Sequence, residues 1–81
     1  MNAKKYNKSI YREDYVELMQ FLKNARVDAG MSQSELGEKI GQDHTFISKY
    51  ENCVRRLDLL ETIDICKALG ISRRALWRNL Y

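Results

Sequence analysis

"QSELGEKIGQDHTFISKYEN", residues 33–52, carries glycine at positions 37 and 41 inside what otherwise reads as helix. Glycine in a helix interior is ~1 kcal/mol less favourable than alanine, so a short helix keeps one only where the space or the backbone freedom is needed. Gly41 fits the second need: it stops the first half of the stretch and supplies a left-handed turn residue. Gly37 fits the first. Two short helices joined through "GQD" (41–43) have too little surface for a parallel-sided hairpin and pack best at a steep angle. A steep crossing brings backbones close at one point. Gly37 falls there, so the absence of a side chain is expected to let the second of these helices rest on the first.

The polar and apolar positions agree with that packing. Leu36 and Ile40 face inward from the first half, and Ile47 and Tyr50 from the second. The opposite face of the second half then shows His44, Thr45, Ser48, Lys49 and Asn52, all hydrogen-bonding and none acidic. An ordinary surface helix would mix Glu with Lys. In a DNA major groove, phosphate repels acids, while His, Thr, Ser and Lys reach base edges.

Outside this stretch the chain is equally helical. Tyr15, Leu18, Met19, Leu22, Ala25 and Ala29 form a stripe over 13–29, closed by Gly30. Ser32 followed by Glu35 is a capping box that opens the second helix, and Asp43 is an N-cap for the third, from His44 to about Asn52. Asp58 caps a fourth helix, with Leu59, Ile63, Cys66 and Leu69 on one stripe before Gly70; Ser72 caps a fifth, "RRALWRNLY" (73–81). No segment alternates with period two, so the expected fold is all-α with five short helices.

With 81 residues the chain holds one small domain, and at 44% hydrophobic and 31% charged it is neither disordered nor membrane-embedded by composition. No apolar run approaches the ~18–20 residues that span a bilayer. "MNAKKYNKSIYRED" (1–14) has no apolar h-region, so a cytosolic protein is expected. Cys53, Cys66 and the single His44 do not make a zinc-ligand pattern, and no cofactor or metal is expected. No nucleophile–base pair or glycine-rich phosphate cradle is present, so an enzyme is not expected. The net charge is +3. Residues 1–12 hold Lys4, Lys5, Lys8 and Arg12 without an acid, and 55–81 hold six basic and three acidic residues. Basic ends suit an anionic partner, and equally a solvated surface.

Residues 22–71 resemble the Cro/phage-repressor-type (XRE-like) helix-turn-helix family, on Leu22, Arg26, "GMSQSELGEKIG" (30–41), "ISKYEN" (47–52) and "ALGIS" (68–72). The resemblance implies a compact five-helix, lambda-repressor-like DNA-binding domain over 13–81, with the helix-turn-helix at 33–52, preceded by a basic arm at 1–12. It implies a regulator, a repressor in most readings, that binds double-stranded DNA as a homodimer on a palindromic operator with its third helix in the major groove. Carried over by position, His44, Thr45, Ser48 and Lys49 read bases. Gln33 and Asn52, with Arg55 and Arg56 beyond, meet the phosphate backbone. Arg26 and Glu51 form a structural ion pair. A cytoplasmic, nucleoid-associated location follows, for a protein of prokaryotic or phage origin. The same fold serves antitoxins, which need a toxin partner, restriction-modification controllers, and modules that bind only protein.

Several positions depart from the family or stay open. Cys53 stands where many relatives have glycine, and a left-handed cysteine there is strained, which leaves the turn open to a different shape. Arg55 and Arg56 either bind phosphate or remain solvated. Phe46 either packs on a neighbouring helix or meets sugar or a thymine methyl. The arm either follows phosphate or a minor groove, or frays without contact. Trp77, Leu80 and Tyr81 bring more apolar surface than a last helix needs, and are candidates for the dimer contact.

Overall fold

The computed structural model describes residues 11–80, which form five α-helices and no strand. They are α1 (Glu13–Asp28), α2 (Gln33–Ile40), α3 (His44–Glu51), α4 (Leu59–Leu69) and α5 (Arg73–Arg78). The arm expected at 1–12 lies outside the described residues except for its last two positions, and Tyr81 lies outside them as well. Among the described residues, no helix is long and apolar enough to cross a membrane.

Local side-chain chemistry sets four of the five helix starts. The Ser32 hydroxyl accepts from the Glu35 N–H at 3.0 Å, and the Glu35 carboxylate accepts the Ser32 N–H at 2.9 Å, a closed capping box on α2. Asp43 accepts the Phe46 N–H at 3.0 Å to start α3. Asp58 and Glu61 form a second capping box on α4, at 2.7 and 2.9 Å. Ser72 accepts the Ala75 N–H at 3.1 Å to start α5. Each cap satisfies a backbone donor that the helix itself cannot, worth ~1 kcal/mol. α1 has no side-chain cap, but carries Glu13 and Asp14 in its first turn, where the helix dipole favours negative charge.

The core is built by α1, α2, α3 and α4 around side chains with almost no exposure: Met19 and Leu22, Leu36, Ile47 and Tyr50, and Ile65. Leu18, Phe46, Leu57 and Cys66 complete it. α3 packs on both α2 and α1, so the third helix rests on a two-sided seat. One apolar expectation needs correction. Leu59 does not join the stripe of α4; it is 72% exposed, like its neighbour Leu60. Ile40 faces inward as expected, half-buried and packed against the core.

Gly37 is buried, and a Cβ built on it would stand 2.6 Å from the Gln42 carbonyl oxygen and 3.0 Å from that of Asp43. The close approach is therefore real, but its partner is the turn itself, one step before α3, and not the body of α3. The Gln42 N–H also donates to the Gly37 carbonyl at 2.8 Å. Gly37 thus docks the turn, and the turn sets the start of α3.

Candidate nucleic-acid interface

α3 ends in a turn that exposes the sequence departure directly. The Cys53 N–H donates to the Tyr50 carbonyl at 3.1 Å and the Val54 N–H to the Lys49 carbonyl at 2.8 Å. That is the Schellman pairing, which needs a left-handed residue after the helix cap. Cys53 takes it, with φ 56°. The turn keeps the shape glycine would give it, at the expense of a strained cysteine.

With Phe46, Ile47 and Tyr50 buried, the outward side of α3 carries His44, Thr45 and Lys49, all exposed, and Ser48, half-buried. Asn52 follows on the same side, its amide donating to the Ser48 hydroxyl at 3.3 Å. The one acid of α3, Glu51, turns inward, and its side chain is 1% exposed. The outward face is therefore free of negative charge, as contact with phosphate-lined DNA requires.

Glu51 is the anchor of the helix end. Its Oε2 accepts Arg26 Nε at 2.7 Å and its Oε1 accepts Arg26 Nη2 at 3.0 Å, while Arg26 Nη1 donates to the Met31 carbonyl at 2.8 Å. The same Oε1 also accepts Gln33 Nε2 at 3.1 Å. The hydrogen bonds to Glu51 push the Arg26 guanidinium further into its charged form, against burial. A bidentate pair with its remaining donors satisfied tolerates burial; one partner alone would not, and its removal costs about 3–5 kcal/mol. Gln33, which the sequence places at the start of α2, is half-buried and holds α2 to this pair through one amide proton.

The two arginines after α3 part company. Arg56 is exposed and borders a cleft between the start of α1 and the end of α5, together with Arg12, Asn79 and Leu80. Arg55 folds back. Its Nη1 donates to Glu61 Oε1 at 2.9 Å and to the Arg56 carbonyl at 3.0 Å, and its Nη2 donates to Glu61 Oε2 at 2.8 Å. The guanidinium carbon lies 4.6 Å from the centre of the Phe46 ring, which in turn meets Tyr50 edge-on at 5.9 Å. Phe46 is 9% exposed and packs inward, away from the outward face. The Glu61 carboxylate is held below its usual range by the Arg55 hydrogen bonds first and the Asp58 N–H second.

Sequence reading missed this second ion pair. The only signal for it was Asp58-x-x-Glu61, a capping-box spacing that places Glu61 in the first turn of α4, within reach of the loop that carries Arg55. Of the dimer candidates, Trp77 is 61% and Leu80 42% exposed. Val54, Leu59 and Leu60, just after α3 and at the start of α4, are exposed as well; of these the sequence places only Leu59, on the core stripe of α4. Among the described residues no group of three His, Cys, Asp or Glu side chains could hold a metal ion.

A helix-turn-helix family model matches residues 22–76, which include α2, the turn and α3 whole. Among solved structures the chain is similar to an XRE-family like protein from Pseudomonas syringae pv. tomato str. DC3000. The two share 39% sequence identity with a TM-score of 0.80, over 93% of this chain and 92% of that one. No curated protein matches the chain. A buried Gly37 under the turn, an α3 with an acid-free outward face, and a match that spans both helices agree: the chain belongs to the XRE-type helix-turn-helix family of DNA-binding regulators.

Proposed function

We propose that this protein is a cytoplasmic transcriptional repressor that binds a palindromic operator as a homodimer and occludes a promoter. The observation that carries the reading is the outward face of α3: four hydrogen-bonding side chains in a row of turns, with the single acid of the helix turned inward onto Arg26. In this reading α3 lies in the major groove, where His44, Thr45, Ser48 and Lys49 reach base edges. Asn52, Arg56 and Gln33 meet phosphate, and the N-terminus of α2 adds backbone donors and a favourable dipole. Gln33 keeps its second amide proton for that contact while the first holds Glu51. Phosphate contacts supply most of the affinity, and α3 the selectivity.

Trp77 and Leu80 are the proposed dimer contact, because exposed apolar side chains clustered at one helix end mark an interface more often than chance. Two copies related by a two-fold axis would present their α3 helices ~34–36 Å apart, one turn of DNA.

Selection of bound duplexes from a randomised pool at roughly physiological salt tests the reading. Enrichment of a palindrome with half-sites about 10–10.5 bp apart is expected. Lys49→Ala should then shift which base is preferred at one position of each half-site, with a loss of ~1–3 kcal/mol on the original operator. Weak binding without enrichment, vanishing as salt rises, would leave only charge attraction and refute a base-reading role for α3.

A further inference from the structure

We propose that Arg55 is a positioning residue for the reading helix, acting through Phe46 and Glu61 rather than by contact with DNA; the proposal rests on the reading of α3 as the base-contacting element. Three observations lead to it. Both terminal nitrogens of the guanidinium are committed, Nη1 and Nη2 to the two oxygens of Glu61 and Nη1 also to the Arg56 carbonyl. Its flat face covers the ring of Phe46, which stands in the first turn of α3 directly after Thr45. Glu61 is itself fixed, because the oxygen that accepts Arg55 Nη1 also accepts the Asp58 N–H that starts α4.

The result is a stack of ring, guanidinium and carboxylate that ties the first turn of α3 to the first turn of α4. This link matters because α3 packs its backbone on α1 and α2 and hardly on α4. At its other end, α3 is tied to α1 and α2 through Glu51, Arg26 and Gln33. The tilt of a helix eight residues long is set by its two ends. Arg55 holds the end that carries His44 and Thr45. A planar, five-donor fork that also stacks on an aromatic face is what the place demands, and lysine lacks both properties.

A phosphate ligand at this position would behave differently in a measurable way. Lysine serves phosphate nearly as well as arginine, and each phosphate neutralised contributes about 0.9 to the slope of log K against log salt. Glu61 would then be an antagonist that holds Arg55 back, and its neutralisation would strengthen binding. For a positioning residue the signs reverse.

The experiment measures affinity for the operator selected by the wild-type protein, and for a scrambled duplex, across a salt series. The variants are Arg55→Lys, Glu61→Gln and Phe46→Leu, with Arg55→Ala added for the salt slope alone. Glutamine keeps the capping-box geometry at the start of α4, so α4 stays capped. The ratio of operator to scrambled affinity is the readout, because loss of folded protein lowers both alike and leaves the ratio unchanged. All three variants are expected to lower that ratio roughly tenfold or more, the scale of one misread base pair, with the salt slope for the operator unchanged. An unchanged ratio overturns the proposal, as does a slope reduced by about one unit in Arg55→Ala, or tighter binding by Glu61→Gln. If the wild-type protein selects no operator, the base-reading role of α3 falls, and the positioning role falls with it; if it selects one and the variants leave the ratio unchanged, only the proposal for Arg55 is lost.

Discussion

Replacing Gly37 by alanine sets two known magnitudes against each other. Alanine is the better helix former by ~1 kcal/mol, so on propensity alone the substitution should stabilise α2. The added Cβ, however, would stand 2.6 Å from the Gln42 carbonyl oxygen and 3.0 Å from that of Asp43. Both are backbone atoms, and neither can rotate away as a side chain could. Relief requires the turn to retreat from α2 by a sizeable fraction of an ångström, and the turn is pinned by the Gln42 N–H to the Gly37 carbonyl at 2.8 Å. Overpacking costs ~1–3 kcal/mol, and weakening that hydrogen bond adds ~1 kcal/mol. Taking the middle of the overpacking range, adding the hydrogen-bond loss and subtracting the propensity gain leaves a net loss of about 2 kcal/mol. For a domain of this size that lowers Tm by roughly 8–16 °C. Urea unfolding followed by far-UV circular dichroism measures it, with Ser34→Ala, an exposed position on the same helix, as the reference. An alanine variant as stable as the wild type, or more so, would refute the account of Gly37 as the residue that docks the turn.

Three further outcomes are expected. Cys53→Gly should stabilise by about 0.5 kcal/mol, since a left-handed non-glycine residue costs ~1–2 kcal/mol and the extra freedom of unfolded glycine returns much of the gain; a destabilisation of that size in urea unfolding would show that the cysteine contacts outweigh its strain. Tyr50→Phe should raise stability by about 1 kcal/mol, because among the described residues the Tyr50 hydroxyl is buried without a hydrogen-bond partner; a fall of that size in thermal melts would mean that the hydroxyl is satisfied. Stability should also fall in acid, with Glu61 as one source. Its folded pKa lies below the usual carboxylate value, so its contribution is present above the unfolded value of ~4.3 and is lost as pH falls through the depressed one. Glu61→Gln should flatten the loss of stability measured from pH 7 down to pH 2, and an unchanged slope would sink the assignment.

Much of the fold was legible because helix starts and stops are local chemistry. Ser32, Asp43, Asp58 and Ser72 each cap the helix that the sequence assigns to them, and each bond spans only three residues. The side of α3 that turns outward was legible for a related reason: once Ile47 and Tyr50 are buried, the helical period leaves 44, 45, 48, 49 and 52 outside. What was not legible depends on residues brought together from afar. The need for space at Gly37 could be read, but not that its neighbour is the turn carbonyls. Leu59 shares a face with buried Cys66 and is nonetheless exposed, since the helical period gives the side a residue lies on and only the tertiary packing decides how far along the helix that side is covered. An arginine in a loop gives no sign of whether its carboxylate partner or a phosphate will claim it, and Arg55 finds Glu61.

The inward turn of Glu51 has a consequence for how such a protein changes over generations. The bonds that hold α3 in place run through Asp43, Glu51 and the buried side chains, and none of them passes through the side chains of His44, Thr45 or Lys49. Exposed positions free of such duties accept substitution within about ±0.5 kcal/mol of stability. Under the proposed reading, the operator preference could therefore drift by single substitutions at these positions without endangering the fold. A duplicated copy could acquire a new target through steps that each leave a folded, DNA-binding protein.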